Sequence, residues 1–293
     1  MKRLWVGASA NDAIVTPLRK QWFTAPGLTY CYVEAGSGPV VLLLHGFTGS
    51  KADWAPLIES LAPDYRIVAV DLPGHGESDA PADPSRYEMA MVARDLGALL
   101  AHLQVKRAHL LGYSMGGRLA LYLALTQPTR WQSLALESAS PGVATEAERS
   151  ERRRQDMTLA DFIEREGIEA FVKRWERLPL FASQVNLPEE VRQRHRERRL
   201  ENRPLGLAGS LRGMGTGMQP AMWETLAELT LPSLLIVGEL DEKFVALARE
   251  MLRSMPQALL TIVPQAGHTL HLEKPDVFAA VVQRWLASVE NSD

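Results

Sequence analysis

Cysteine is almost missing from this chain: Cys31 stands alone, so no internal disulfide can form and no cysteine-based zinc cluster can be built. Nothing demands an oxidising compartment, and the cytoplasm is the default expectation. Long apolar runs are also lacking. Those present, such as Val40–Leu44 and Leu134–Leu136, are strand-sized and far short of the ~18 consecutive residues that suggest a membrane span. There is no excess of positive charge. The formal net charge is −3, the wrong balance for neutralising phosphates along a nucleic acid. The first residues scatter Asn11, Asp12, Arg19 and Lys20 and leave no apolar core for a signal peptide. Residues 1–26 read as a loose extension of unknown purpose.

What is present is the composition of an ordinary globular protein, 293 residues with 46% hydrophobic and 23% charged positions. Short apolar, β-branched runs recur at Tyr30–Val33, Val40–Leu44, Arg66–Val70, Ala108–Leu111, Ser133–Leu136, Leu234–Val237 and Leu259–Val263, and these read as buried strands. Between them lie stretches of helical period at Tyr87–Leu103, Met115–Thr126, Phe244–Met255 and Pro275–Leu286. Strands alternating with helices imply an α/β fold with a mostly parallel sheet covered on both faces. The alternation stops between about Gly142 and Met222, where polar helical segments replace strands. This predicts an inserted helical subdomain, 142–222, between core segments 27–141 and 223–293. Arginine concentrates there: 14 of the 25 arginines lie between Arg149 and Arg212, offset by 11 acidic residues. Solvated or cross-paired helix faces account for such a cluster as readily as a binding role does. The run from Gly213 to Met218 is a glycine-rich loop, but it does not join a strand to a helix, so it fails as a dinucleotide fingerprint.

The strongest chemical signal is Gly112-Tyr-Ser114-Met-Gly116, a strand running through a serine straight into a helix. Glycines two before and two after the serine permit a turn too tight for side chains, and that turn lifts the hydroxyl above the sheet. A serine needs a histidine to take up its proton, and the histidine needs a carboxylate to orient it. Asp241 follows one buried strand and His268 follows the next, in the order Ser, Asp, His of α/β-hydrolases. Glu239 is a competitor for the acid, one or two residues too early. Leu44-His-Gly-Phe47 supplies a loop after another strand, so the amides of Phe47 and Met115 are the expected oxyanion hole. His45, Asp71 and His75 are assigned structural roles. His268 and His271 are spaced like metal ligands but lack a third ligand nearby, so neither a metal nor a cofactor is expected.

Several further stretches, Glu137–Gly142, Leu178–Ser183, Leu205–Met218 and Gly238–Phe244, resemble the 2-succinyl-6-hydroxy-2,4-cyclohexadiene-1-carboxylate synthases (the MenH family), within an α/β-hydrolase superfamily that the chain resembles from roughly 27 to 286. The resemblance implies an α/β-hydrolase fold with a helical cap. It also implies a lyase of menaquinone biosynthesis that removes pyruvate from a 5-enolpyruvyl precursor, with a small polycarboxylate as substrate. Guanidinium groups suit such a ligand because they bind carboxylates through two parallel hydrogen bonds. Arg118, four residues after Ser114, is the most discriminating position, since an esterase would more often keep an apolar residue there. Tyr113, Arg149, Arg152, Trp175 and Arg199 fall on positions similar to the family's pocket residues. A carboxylesterase or C–C hydrolase working through an acyl-enzyme is the alternative. Oligomeric state stays open, with a monomer as the default.

Overall fold

The computed structural model describes residues 18–291. The elements run β1 (Arg19–Ala25), β2 (Leu28–Ala35), β3 (Val40–Leu44), α1 (Ala55–Leu61), β4 (Arg66–Val70), α2 (Met89–His102), β5 (Ala108–Tyr113), α3 (Met115–Thr126) and β6 (Trp131–Glu137). They continue through α4 (Glu146–Trp175), α5 (Glu189–Leu200), α6 (Pro204–Met214), β7 (Ser233–Gly238), α7 (Glu242–Ser254), β8 (Ala258–Val263), α8 (Leu270–Glu273) and α9 (Pro275–Glu290). The eight strands form one sheet in the order β1-β2-β4-β3-β5-β6-β7-β8. β2 is antiparallel to both neighbours, and every pair from β4 across to β8 is parallel.

All five residues of β3 are buried because the sheet is covered on both faces. Alternate residues divide between two apolar layers. Leu42 and Leu44 pack with buried residues of α2, α3 and α7, while Val41 and Leu43 pack with those of α1 and α9. Burying a Leu or Val side chain contributes roughly 1.5–3 kcal/mol, so a one-residue slip of β3 would not expose it but would exchange its two sets of partners.

The sequence expectation for the N-terminal residues fails where they are described. Residues 19–25 are not a loose extension but strand β1, paired with β2 from Arg19 opposite Glu34 to Ala25 opposite Leu28. This strand lies at the sheet edge and is mostly exposed, so it lacks the buried apolar run that marks the other strands. Residues 1–17 lie outside the described part of the chain.

Between β6 and β7 the chain forms helices and turns only. α4 starts at Thr145, whose side chain caps the Glu148 amide, and is broken at Gly167, where φ is +81°. Ala160, Ile163, Phe171, Val172, Leu207, Ala208 and Leu211 give this insertion an apolar core of its own. Its two ends meet where the Met222 amide donates to the Pro141 carbonyl at 2.8 Å. Among the described residues no helix is long and apolar enough to cross a membrane.

Candidate active site

β5 runs directly into Ser114, which sits at φ +47° and ψ −107° before α3 begins. A non-glycine residue in that region is strained by roughly 1–3 kcal/mol. The flanking glycines show why the turn closes. A Cβ at Gly112 would lie 2.3 Å from the Gly116 carbonyl oxygen, and one at Gly116 would lie 2.2 Å from that of Leu44. The start of α3, carrying Met115, is therefore pressed against the end of β3, whose loop carries Phe47. Both residues line the cavity above Ser114.

Asp241 follows β7 and caps α7, its Oδ1 accepting from the Phe244 amide at 3.4 Å. His268 follows β8. The two loops touch so closely that a Cβ at Gly238 would meet the Gly267 carbonyl oxygen at 2.1 Å. Asp241 Oδ2 lies 2.6 Å from His268 Nδ1, and His268 Nε2 lies 3.1 Å from Ser114 Oγ. With the Nδ1 proton directed to the carboxylate, Nε2 is the acceptor for the serine hydroxyl. Glu239 instead accepts from the Gln265 amide at 3.0 Å in an exposed position. The His268 ring is flanked by Phe244 and Tyr113, at centroid distances of 4.7 and 5.4 Å. Such packing excludes water and fixes the imidazole plane.

A cavity of about 1050 Å³ opens over Ser114 between the carboxyl ends of the strands and the helical insertion. Phe47, Tyr113, Met115, Arg118, Arg152 and Trp175 line it. Arg118 is buried, 8% exposed, and its Nη1 donates to the Met214 carbonyl and to Gln219 Oε1, both at 3.1 Å. Burial, and next the charge of Arg152, lower its pKa to about 10, so it stays cationic near neutrality. Arg152 donates through Nε to Asp156 at 2.8 Å. Tyr113 bonds through its hydroxyl to Thr269 Oγ1 at 2.8 Å, and burial raises its pKa. Trp175 packs edge-on against Phe47, with its buried Nε1 lacking a partner.

Two of the expected arginines lie elsewhere. Arg149 pairs with Glu146 one turn away on α4 and does not line the cavity. Arg199 is buried on α5, 3.5 Å from Glu176 and 5.0 Å over the Phe181 ring, and faces a separate hollow of about 490 Å³. On helices so dense in arginine, residue spacing alone does not say which face meets the cavity. Lys243 lines the cavity without having been singled out in the sequence, as do Glu148 and Glu250. The lining thus mixes three cations with acids. Lys243 was discoverable, lying two residues beyond Asp241. Gln219, the partner of Arg118, carried no signal.

His45 and His271, both noted in the sequence, are engaged elsewhere. His45 bonds through Nδ1 to the Gly46 carbonyl, and its Nε2 accepts from the Leu72 amide. His271 Nδ1 lies 2.8 Å from Glu137, so His268 and His271 hold different carboxylates. Asp71 accepts from Lys51 Nζ at 2.6 Å and from the Glu77 amide at 2.8 Å.

Residues 39–275 match the alpha/beta hydrolase fold family. The chain is 48% identical over 262 residues, 88% of its length and 95% of the relative's, to a Bacillus subtilis protein provisionally named 2-succinyl-6-hydroxy-2,4-cyclohexadiene-1-carboxylate synthase. It is 34% identical over 251 residues to the Serratia proteamaculans enzyme of that name, covering 85% of this chain and 94% of the relative. The solved structure of MenH from Staphylococcus aureus superimposes with a TM-score of 0.85 at 37% identity, covering 89% of this chain and 98% of that one.

Proposed function

The chain belongs to the 2-succinyl-6-hydroxy-2,4-cyclohexadiene-1-carboxylate synthase family of the alpha/beta hydrolase fold, and we propose that it is a carbon–oxygen lyase of menaquinone biosynthesis. Its substrate in this reading is 2-succinyl-5-enolpyruvyl-6-hydroxy-3-cyclohexene-1-carboxylate, from which it releases pyruvate to leave 2-succinyl-6-hydroxy-2,4-cyclohexadiene-1-carboxylate. No acyl-enzyme forms.

Ser114, its proton drawn toward His268, acts as general base on a ring carbon. The C–H bond breaks, a ring double bond forms, and the C–O bond to the enolpyruvyl group breaks. The departing enolpyruvate takes up a proton and becomes pyruvate. Proton transfer by a positioned side chain contributes about 10²–10⁴ in rate. The amides of Phe47 and Met115 meet the developing negative charge, each worth about 3 kcal/mol where such donors have been removed. Arg118 and Arg152 hold substrate carboxylates, and Tyr113 and Trp175 shape the walls. Residues 142–222 are the cap, closing over a core that begins at strand β1 and comprises 19–141 and 223–291.

The single observation that carries this reading is a buried guanidinium at the wall of the cavity that opens over a Ser114–His268–Asp241 chain. Pyruvate release from the enolpyruvyl substrate tests it directly, and its absence in the wild-type protein refutes it. The same three side chains could serve an acyl-transfer hydrolase, so a p-nitrophenyl ester assay belongs beside it. A burst of nitrophenol with no pyruvate would favour the hydrolase.

A further inference from the structure

The glycine-rich run after α6 builds a cradle for Arg118. Met214 offers its carbonyl and Gln219 its amide oxygen, each 3.1 Å from Arg118 Nη1. Gln219 is fully buried, and its Nε2 donates to the Ser140 carbonyl at 3.1 Å. One amide thus ties the Arg118 guanidinium to the loop that follows β6. The run fits this close because it is threaded against α4. A Cβ at Gly217 would lie 2.3 Å from the Arg153 amide nitrogen, and the Gly217 amide donates to Asp156 Oδ2 at 2.9 Å.

The acceptors that hold Arg118 are neutral. Asp156 is close enough to act on it electrostatically, yet its oxygens are occupied by Arg152 Nε and the Gly217 amide. A buried guanidinium without a bonded carboxylate is costly in isolation and binds an incoming anion strongly.

We propose that Gln219 is a positioning residue for substrate binding: a neutral, doubly anchored amide that orients Arg118 at the cavity wall while leaving its charge for a substrate carboxylate. A glutamate in its place would supply that charge from within and compete with the substrate. This rests on the lyase reading above.

Two variants separate charge from bonding. Gln219→Met and Gln219→Glu both lose the donor to Ser140, but only the second adds a carboxylate beside Arg118. Pyruvate-release kinetics and thermal unfolding are measured on both and on the wild type. Gln219→Glu is expected to unfold at a higher temperature than Gln219→Met, because the buried cation gains a counter-ion. Its KM is expected to exceed that of Gln219→Met by about tenfold or more with kcat little changed. Equal KM values would overturn the proposal, and so would a Gln219→Glu protein that unfolds earlier than Gln219→Met or fails to fold. Should the wild type release no pyruvate, the lyase reading fails while the unfolding comparison still tests the clamp.

Discussion

The Arg118 amide donates to the Ser114 carbonyl at 2.9 Å, so the serine and the buried guanidinium are locked one helical turn apart. Their separation is set by helix geometry and not by the cap. In the proposed reaction, a substrate carboxylate bound to Arg118 would be placed relative to the hydroxyl by α3 itself.

Removing the hydroxyl removes the base. Ser114→Ala should lower kcat for pyruvate release by about 10²–10⁴ while leaving the unfolding temperature little changed, since the φ +47° strain remains and the hydroxyl lost is only part-buried. Near-normal release by this variant would exclude Ser114 as the base.

Arg149 and Arg152, two of the arginines in the first turns of α4, should behave differently. Arg152 lines the cavity, whereas Arg149 is paired with Glu146 outside it. Arg152→Ala should raise KM by about tenfold, and Arg149→Ala should leave it within about twofold. Steady-state kinetics on the pair would show the reverse order if the cap were oriented otherwise.

Gly116 has no space for a methyl group. Its Cβ would meet backbone oxygens of Leu44 at 2.2 Å and His45 at 2.5 Å, and backbone cannot step aside as a side chain can. Gly116→Ala should destabilise the fold by about 3 kcal/mol or more and abolish activity. Urea unfolding within 1 kcal/mol of wild type would contradict this.

Acid should weaken the fold through His75. Burial, and next the charge of His45, lower its pKa from 6.5 to about 3. Below about pH 6.5 the unfolded chain binds a proton there and the folded chain does not. Stability is therefore lost as pH falls from 6.5 toward 3, at up to about 1.4 kcal/mol per pH unit from this ring. Urea titrations of wild type and His75→Phe between pH 7 and 5 should show a shallower slope in the variant, and parallel slopes would refute the assignment.

The serine turn, the strands of the parallel sheet and the positions of Asp241 and His268 were legible because each is written in a few adjacent residues. Glycines at fixed offsets admit the turn, and continuous apolar runs mark the strands, although β8, expected to be buried, is an edge strand buried only at Val263. β1 was missed for the same reason: an exposed edge strand carries little apolar pattern.

What the sequence alone determined is the local chemistry, a serine, an acid and a histidine at strand ends, because backbone sterics and burial act between chain neighbours. Tertiary structure decided which charges face the cavity. Arg118 and Gln219 stand 101 residues apart, and Arg199 is turned onto Phe181 and Glu176. A guanidinium's partners are chosen by how the insertion closes on the core, and no short stretch of sequence carries that information.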